Sequence, residues 1–459
     1  MQREKLGSRL GFILLSAGCA IGVGNVWKFP YLVGENGGAI FVLIYIVFLL
    51  IMGIPVMTME FALGRASQKS PARLYQELER DGQKWHIHGW ACVVGNILLM
   101  MFYTTVSAWM LQYFFKTMLG DFKGLDAGGV ANEFTKTTQN PSMITLFVGI
   151  ILALALLICV IGVKKGLERV SKVMMIALLA IMIFLVIFGL FQDGAVQGLK
   201  FYLVPDFDKM AEIGIGNIIV AAMNQSFFTL SIGIGSMAIF GSYIGKEKAL
   251  LGESVTIAAL DFFVAFASGL IIFPACFANG VEVSAGPSLI FVTLPNIFNN
   301  MPAGRLWGSL FFLFMTFAAF STIIAVFENI VACIEDLTGL SRKKLCAICA
   351  AGLFVLSVPC VLGFSVWSGF EPLWDGSNIM DLEDFIVSNV ILPLGSMMFV
   401  IFSTQRLGWG WDNFTLEANT GDGLKVKPWM RKYMTYVLPL MIFALFVVGI
   451  VQTIIKIAA

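Results

Sequence analysis

The residues of this chain that could do chemistry are hard oxygen donors and backbone groups rather than a nucleophile with its base. The stretch Ser16-Ala17-Gly18-Cys19-Ala20-Ile21-Gly22-Val23-Gly24-Asn25-Val26-Trp27-Lys28-Phe29-Pro30 sets three glycines and an asparagine halfway along an apolar helix. Glycine inside a helix is destabilising by roughly 1 kcal/mol relative to alanine, so the helix is expected to break there. Broken backbone at bilayer depth is tolerated where it is buried in protein or lines a cavity. Its freed carbonyls and half-helix ends can hold a cation and the charged ends of a small solute. The alternative is close helix packing through Gly18 and Gly22, the small-xxx-small pattern. Another stretch, Phe227-Phe228-Thr229-Leu230-Ser231-Ile232-Gly233-Ile234-Gly235, repeats the anomaly. Enzyme signatures are missing: neither His-Glu-x-x-His nor Gly-x-Ser-x-Gly occurs, and the two histidines, His86 and His88, share a polar loop.

The elements that must position these groups are membrane spans. The chain has 459 residues, 58% hydrophobic and 13% charged; soluble domains carry about twice that charge fraction, so a polytopic all-α membrane protein is expected. The net charge of +1 argues against nucleic-acid binding. The first span starts near the N-terminus, and no cleavable signal peptide is expected. Hydropathy predicts eleven spans, near 9–34, 38–64, 89–119, 142–162, 168–191, 212–245, 250–278, 303–338, 343–365, 380–405 and 434–457. With the N-terminus cytoplasmic, most of the 30 lysines and arginines fall in inner loops, as the positive-inside rule requires. The C-terminus is then outside, and a plasma (cytoplasmic) membrane is the expected location. The second break lies five spans after the first, so the sixth helix runs opposite to it. Paired broken helices in two five-span halves, 9–191 and 212–405, with 434–457 as an additional helix, point to an inverted-repeat transporter. The apolar loop near 283–302 suits a lid folded over an outer vestibule, or an ordinary surface helix.

Arg9-Leu10-Gly11-Phe12-Ile13-Leu14, Val23-Gly24-Asn25-Val26-Trp27-Lys28-Phe29-Pro30, Glu35-Asn36-Gly37-Gly38, Gly53-Ile54-Pro55, and Gln225 with Phe227-Phe228-Thr229-Leu230-Ser231 resemble the neurotransmitter:sodium symporters. The match spreads over roughly residues 3–405, and eleven spans rather than twelve resembles the bacterial amino-acid branch. The resemblance implies two sodium sites. One is similar to the Ala20 carbonyl, Asn25, Thr229, Asp261 and the carboxylate of the substrate. The other resembles the Gly18, Ile21 and Ala318 carbonyls with the Ser321 and Thr322 hydroxyls; taken in isolation, those hydroxyls read as back-bonding within their own helix. For the substrate, the resemblance implies Ala20, the Gly24 N–H, the Tyr103 hydroxyl, Thr229 and Thr322. Leu99, Phe228, Ser231, Ile234 and Val326 would line the side-chain pocket. Biogenic-amine carriers of the family have an aspartate where Gly22 stands, so a ligand that brings its own carboxylate is expected: a hydrophobic L-amino acid. Lys28 with Asp384 resembles the outer gate, and Arg3 with Asp336 the inner one. Glu60 is read as structural, satisfying backbone freed by the breaks.

Several positions depart from the family pattern. Lys28 replaces the usual arginine, losing its bidentate fork. Leu6 stands where a tryptophan is common, and Ile176 where a proline closes a motif that starts at Gly166. Chloride-dependent relatives hold an anion with an asparagine and a serine of span seven; here these positions are Asp261 and Ala265, so chloride is not expected. The other reading of Asp261 is a protonated hydrogen-bond donor. The function implied is sodium-coupled import by alternating access, with no obligate protein partner beyond the lipid bilayer. A membrane sensor of the same fold that binds without transport is the alternative.

Overall fold

The computed structural model describes residues 4–191, 195–278 and 289–458. Among them every regular element is a helix, and the strand-like contact is an isolated bridge between Lys248 and Asp422. α1 (Arg9–Ala20) begins where the Ser8 side chain accepts the Gly11 N–H, a cap that satisfies one free N-terminal donor. It ends at Ile21, whose backbone is extended, with φ −72° and ψ 100°. The chain resumes as α2 (Gly24–Glu35), bent 54° from α1. The glycine cluster thus breaks the helix at the expected place.

α3 (Ala39–Ser67), α4 (His86–Leu119), α5 (Pro141–Ile161) and α6 (Val163–Leu190) follow as long apolar helices. α6 runs unbroken through Ile176, where the motif's proline is missing. The expected sixth span is two short helices, α7 (Ile215–Thr229) and α8 (Ser236–Gly241). The turn between them has Ser231 at φ +51°, Gly233 at +96° and Gly235 at +74°. Left-handed backbone is open to glycine and strained for serine, so this break is held by its surroundings. Then come α9 (Leu250–Ala278), α10 (Leu289–Asn299), α11 (Gly304–Thr338), α12 (Arg342–Leu362), α13 (Ile379–Thr404) and α14 (Met430–Ile455). Among the described residues nine helices are long and apolar enough to cross a bilayer, and α1 with α2 makes a tenth if the bent pair is one span. The predicted sixth differs because its break leaves segments of 15 and 6 residues, each short of the roughly 20 a span needs.

Three hydrogen bonds give the direction of the sixth segment against the first. Leu6 N–H donates to the Tyr243 carbonyl, Ser231 Oγ to the Cys19 carbonyl, and Gln225 Nε2 to the Gly24 carbonyl. Partner numbers fall as the first helix advances, so the two broken helices run antiparallel with their breaks side by side. α4 and α11 pack against each other along their lengths at the centre, whereas α14 lies at the periphery. α3 meets α8 through glycines: a Cβ on Gly64 would overlap the Ala238 carbonyl, and one on Gly241 the Phe61 backbone. Small residues at such contacts let helix backbones approach where lipid offers no hydrophobic drive. Part of the apolar loop, 283–288, lies outside the described residues. The remainder is α10, and its Phe291 is buried against the rings of Trp27, Trp109 and Tyr113.

Candidate functional site

The breaks free backbone groups that other helices then satisfy or share. Glu60, buried on α3, accepts the Gly233 N–H at 2.5 Å through Oε1 and the Met237 N–H at 3.2 Å through Oε2. It does for the second break what the sequence expects. At the first break, Thr322 on α11 points its hydroxyl at the carbonyls of Gly18, Cys19 and Ile21, at 3.3, 3.2 and 3.4 Å. Ser321 Oγ lies 3.3 Å from the Ile21 carbonyl and 2.9 Å from that of Ala318. The carbonyls of Gly18, Ile21 and Ala318 and the hydroxyls of Ser321 and Thr322 therefore converge on one buried spot. Each is a neutral hard oxygen, the donor type that suits a small hard cation.

Another group of oxygens surrounds Asp261 on α9, which is fully buried. Asn25 Nδ2 donates to Asp261 Oδ1 at 2.8 Å and to its carbonyl at 3.1 Å. Thr229 Oγ1 donates to the same carboxylate at 3.0 and 3.2 Å. Asn25 Oδ1 accepts the Gly22 N–H at 3.0 Å, which fixes the orientation of the amide. One carboxylate is thus bound to both breaks at once, through Asn25 of the first and Thr229 of the second.

Between the breaks lies a small cavity lined by Cys19, Ala20, Gly24, Leu99, Tyr103, Phe228, Ser231, Ile234, Thr322 and Leu392. Tyr103 Oη accepts the Val23 N–H at 2.7 Å, so the hydroxyl is placed against the unwound segment. Val326 is buried on α11 outside this lining. Cys19 and Leu392 line the cavity although the sequence reading does not place them there. Cys19 sits inside the glycine cluster, where its position was the available signal; Leu392, beside Pro393 on α13, has none. A larger vestibule adjoins the cavity, lined by Trp27, Lys28, Tyr31, Met380, Asp381 and Asp384 among others, with Phe228 and Tyr103 common to both chambers. Lys28 Nζ reaches both Asp384 oxygens at 2.9 and 3.0 Å and Ser388 Oγ at 3.2 Å, and sits 4.1 Å from the centre of the Phe228 ring. Arg3 lies outside the described residues. Asp336 accepts the Ser70 N–H at 2.7 Å, at the start of the short helix Pro71–Leu78.

The space around Gly22 gives a direct test of this geometry. A methyl group there would overlap Tyr103 Oη and Thr322 Oγ1. Gly22→Ala is expected to weaken ligand binding in this cavity of the purified protein by about tenfold or more, since each 1.4 kcal/mol of displaced contact is a factor of ten. Gly216, which a methyl group would leave clear of other atoms within 4 Å, is the control: Gly216→Ala should bind as wild type. Equal behaviour of the two variants would dissociate Gly22 from the site.

Two antiparallel broken helices, with oxygens from both breaks gathered around a buried cavity, define an all-helical membrane transporter rather than an enzyme. The model of the sodium:neurotransmitter symporter family matches residues 3–124 and 129–457. A sodium-dependent transporter of Bacillus subtilis is 35% identical over 87% of this chain and 87% of its own length. One of Methanocaldococcus jannaschii is 32% identical over 97% and 90%. The crystal structure of MhsT in complex with L-phenylalanine matches with a TM-score of 0.88 and 35% identity, covering 97% of this chain and all of that one. The chain belongs to the sodium:neurotransmitter symporter family and is a sodium-dependent transporter.

Proposed function

We propose that the protein imports hydrophobic L-amino acids, bulky aliphatic and aromatic ones included, by alternating access coupled to two sodium ions and without chloride. The observation that carries this reading is the arrangement of oxygens about the cavity. One sodium ion would use the Gly18, Ile21 and Ala318 carbonyls with Ser321 and Thr322. The other would use the Ala20 carbonyl, Asn25, Thr229 and Asp261, and the carboxylate of the amino acid would complete its shell. The substrate's carboxylate would meet the Gly24 N–H and Tyr103 Oη. Leu99, Phe228 and Ile234 offer its side chain apolar walls, and Ser231 is too little to satisfy a charged one, whose unpaired burial costs several kcal/mol. MhsT, similar in sequence and structure, was solved with L-phenylalanine, which supports the same substrate class. Residues 9–191 and 212–405 would form the two inverted halves, in a cytoplasmic membrane with the N-terminus inside and the C-terminus outside. Lys28 and Asp384 would close the outer side, with Arg3 and Asp336 as the inner pair.

The test is uptake of labelled leucine into proteoliposomes with and without an inward sodium gradient, with unlabelled amino acids as competitors. Leucine should accumulate only with the gradient, which also separates a carrier from a sensor. Tryptophan, tyrosine and phenylalanine should displace it, and lysine and glutamate should not. Displacement by glutamate at similar concentration would refute the pocket reading.

A further inference from the structure

Ile234 lines the cavity from the middle of the second break, and α4 holds it in two ways. Its carbonyl, freed by the break, accepts a 2.8 Å hydrogen bond from Asn96 Nδ2. Its side chain lies over Gly95, the neighbouring residue: a methyl group on Gly95 would come within 2.7 Å of Ile234 Cγ2 and 2.9 Å of Ile391 Cγ2. Asn96 is itself fixed. Its Nδ2 also donates to the Cys92 carbonyl at 2.7 Å, and its Oδ1 accepts from Asn329 Nδ2 at 2.9 Å and Ser236 Oγ at 3.4 Å. Asn96, Asn329, Ser236 and Ile234 are all buried. The donors of this break are therefore satisfied from α3, by Glu60, while the Ile234 acceptor is satisfied from α4, with α11 behind it through Asn329.

We infer that Gly95 and Asn96 are positioning residues that set how much room the cavity leaves for the substrate side chain, by fixing the height of Ile234. The inference rests on the reading of that cavity as the amino-acid pocket. The glycine lets the isoleucine lie flat on α4, and the asparagine pins its backbone there. Neither residue lines the cavity itself, so neither is a contact residue. Changing one or the other moves the same wall in opposite senses. A methyl group at 95 must push Ile234 toward the cavity or displace Ile391. Loss of the amide at 96 leaves the Ile234 carbonyl unpaired, and buried unpaired groups are costly enough that the local backbone shifts to find a partner. The wall then yields to a large side chain and supports a small one less well.

The experiment measures displacement of one labelled hydrophobic amino acid from the purified full-length protein in sodium by valine, leucine, phenylalanine and tryptophan. Sodium half-saturation is determined in parallel. Gly95→Ala should weaken tryptophan and phenylalanine about tenfold more than valine, about 1.4 kcal/mol of selectivity. Asn96→Ala should shift the order the other way, weakening valine and leucine most. In both, sodium half-saturation should stay within about twofold, because neither residue touches the oxygens at Gly18, Ile21, Ser321 and Thr322. Should Asn96→Ala not fold, Asn329→Ala removes the bond that orients the amide and must shift selectivity in the same direction by a smaller factor. Wild-type order in all variants would overturn the inference alone, as would uniform loss across the four amino acids, the mark of a merely structural role. A wild type that binds none of the four would bring down the pocket reading and the inference together.

Discussion

Thr322→Ala will raise the sodium concentration for half-maximal uptake by at least about tenfold, while Thr322→Ser will stay close to wild type. The Thr322 hydroxyl lies within 3.4 Å of three carbonyls of the first break, and it is buried. Alanine removes this oxygen together with the methyl group beside it. Serine keeps the oxygen and removes a methyl group, so the pair separates coordination from packing. Loss of one oxygen from a small all-oxygen shell is felt strongly, because a hard cation gains little from the waters that could replace it in a closed site. Thr322 also lines the cavity, so the titration is made at saturating amino acid. A variant that loses thermal stability yet keeps the wild-type sodium curve would make Thr322 a helix-packing residue and remove the second sodium site from the mechanism.

The other large effect concerns Asp261. Wild-type uptake is expected to be the same in chloride and in gluconate. Asp261→Asn should reduce uptake roughly a hundredfold, since a buried charge left uncompensated costs several kcal/mol. Two carboxylates stand at the breaks. Both oxygens of Glu60 are taken by backbone N–H groups of the second break, whereas Asp261 faces Asn25 and Thr229. The negative charge that balances two sodium ions and a zwitterion would therefore come from Asp261. Ala265 lies one turn further along α9 and is buried, so a hydroxyl there would face the same interior. Asp261→Asn combined with Ala265→Ser should be inactive in gluconate and either inactive or stimulated in chloride. A wild type that stops in gluconate refutes the assignment.

The two breaks were legible because glycine has a plain meaning at bilayer depth, and the antiparallel pairing followed from an even number of intervening spans, four. Which hydroxyls face them was not legible from α11 alone. Ser321 does back-bond to Ala318, three residues earlier, while also facing Ile21, so the two readings of that serine describe one position. Only the family pattern singled out the faces of Ser321 and Thr322. Leu392 escaped because an apolar residue in an apolar span carries no mark of what it lines. Gly95 and Asn96 escaped for another reason: α4 is unbroken, and their role exists only where the second break comes to rest on it. The missing proline at 176 was legible as a departure, and α6 is a continuous helix there.

The Phe228 ring forms a wall of both the cavity and the vestibule, and the Lys28 ammonium sits above that ring while paired with Asp384. Side-chain rotations take picoseconds to nanoseconds when unhindered, whereas helix displacements take microseconds to milliseconds. A ring alone would thus be a leaky shutter, and a half-exposed ion pair contributes only about 0–1 kcal/mol. Stacked as they are, with the ammonium 4.1 Å from the ring centre, the two would operate together, because moving the ring away gives up the cation–π contact. If Lys28 and Asp384 close the outer side as proposed, ring and ion pair would move together, at the pace of the helices that carry them rather than of a free side chain.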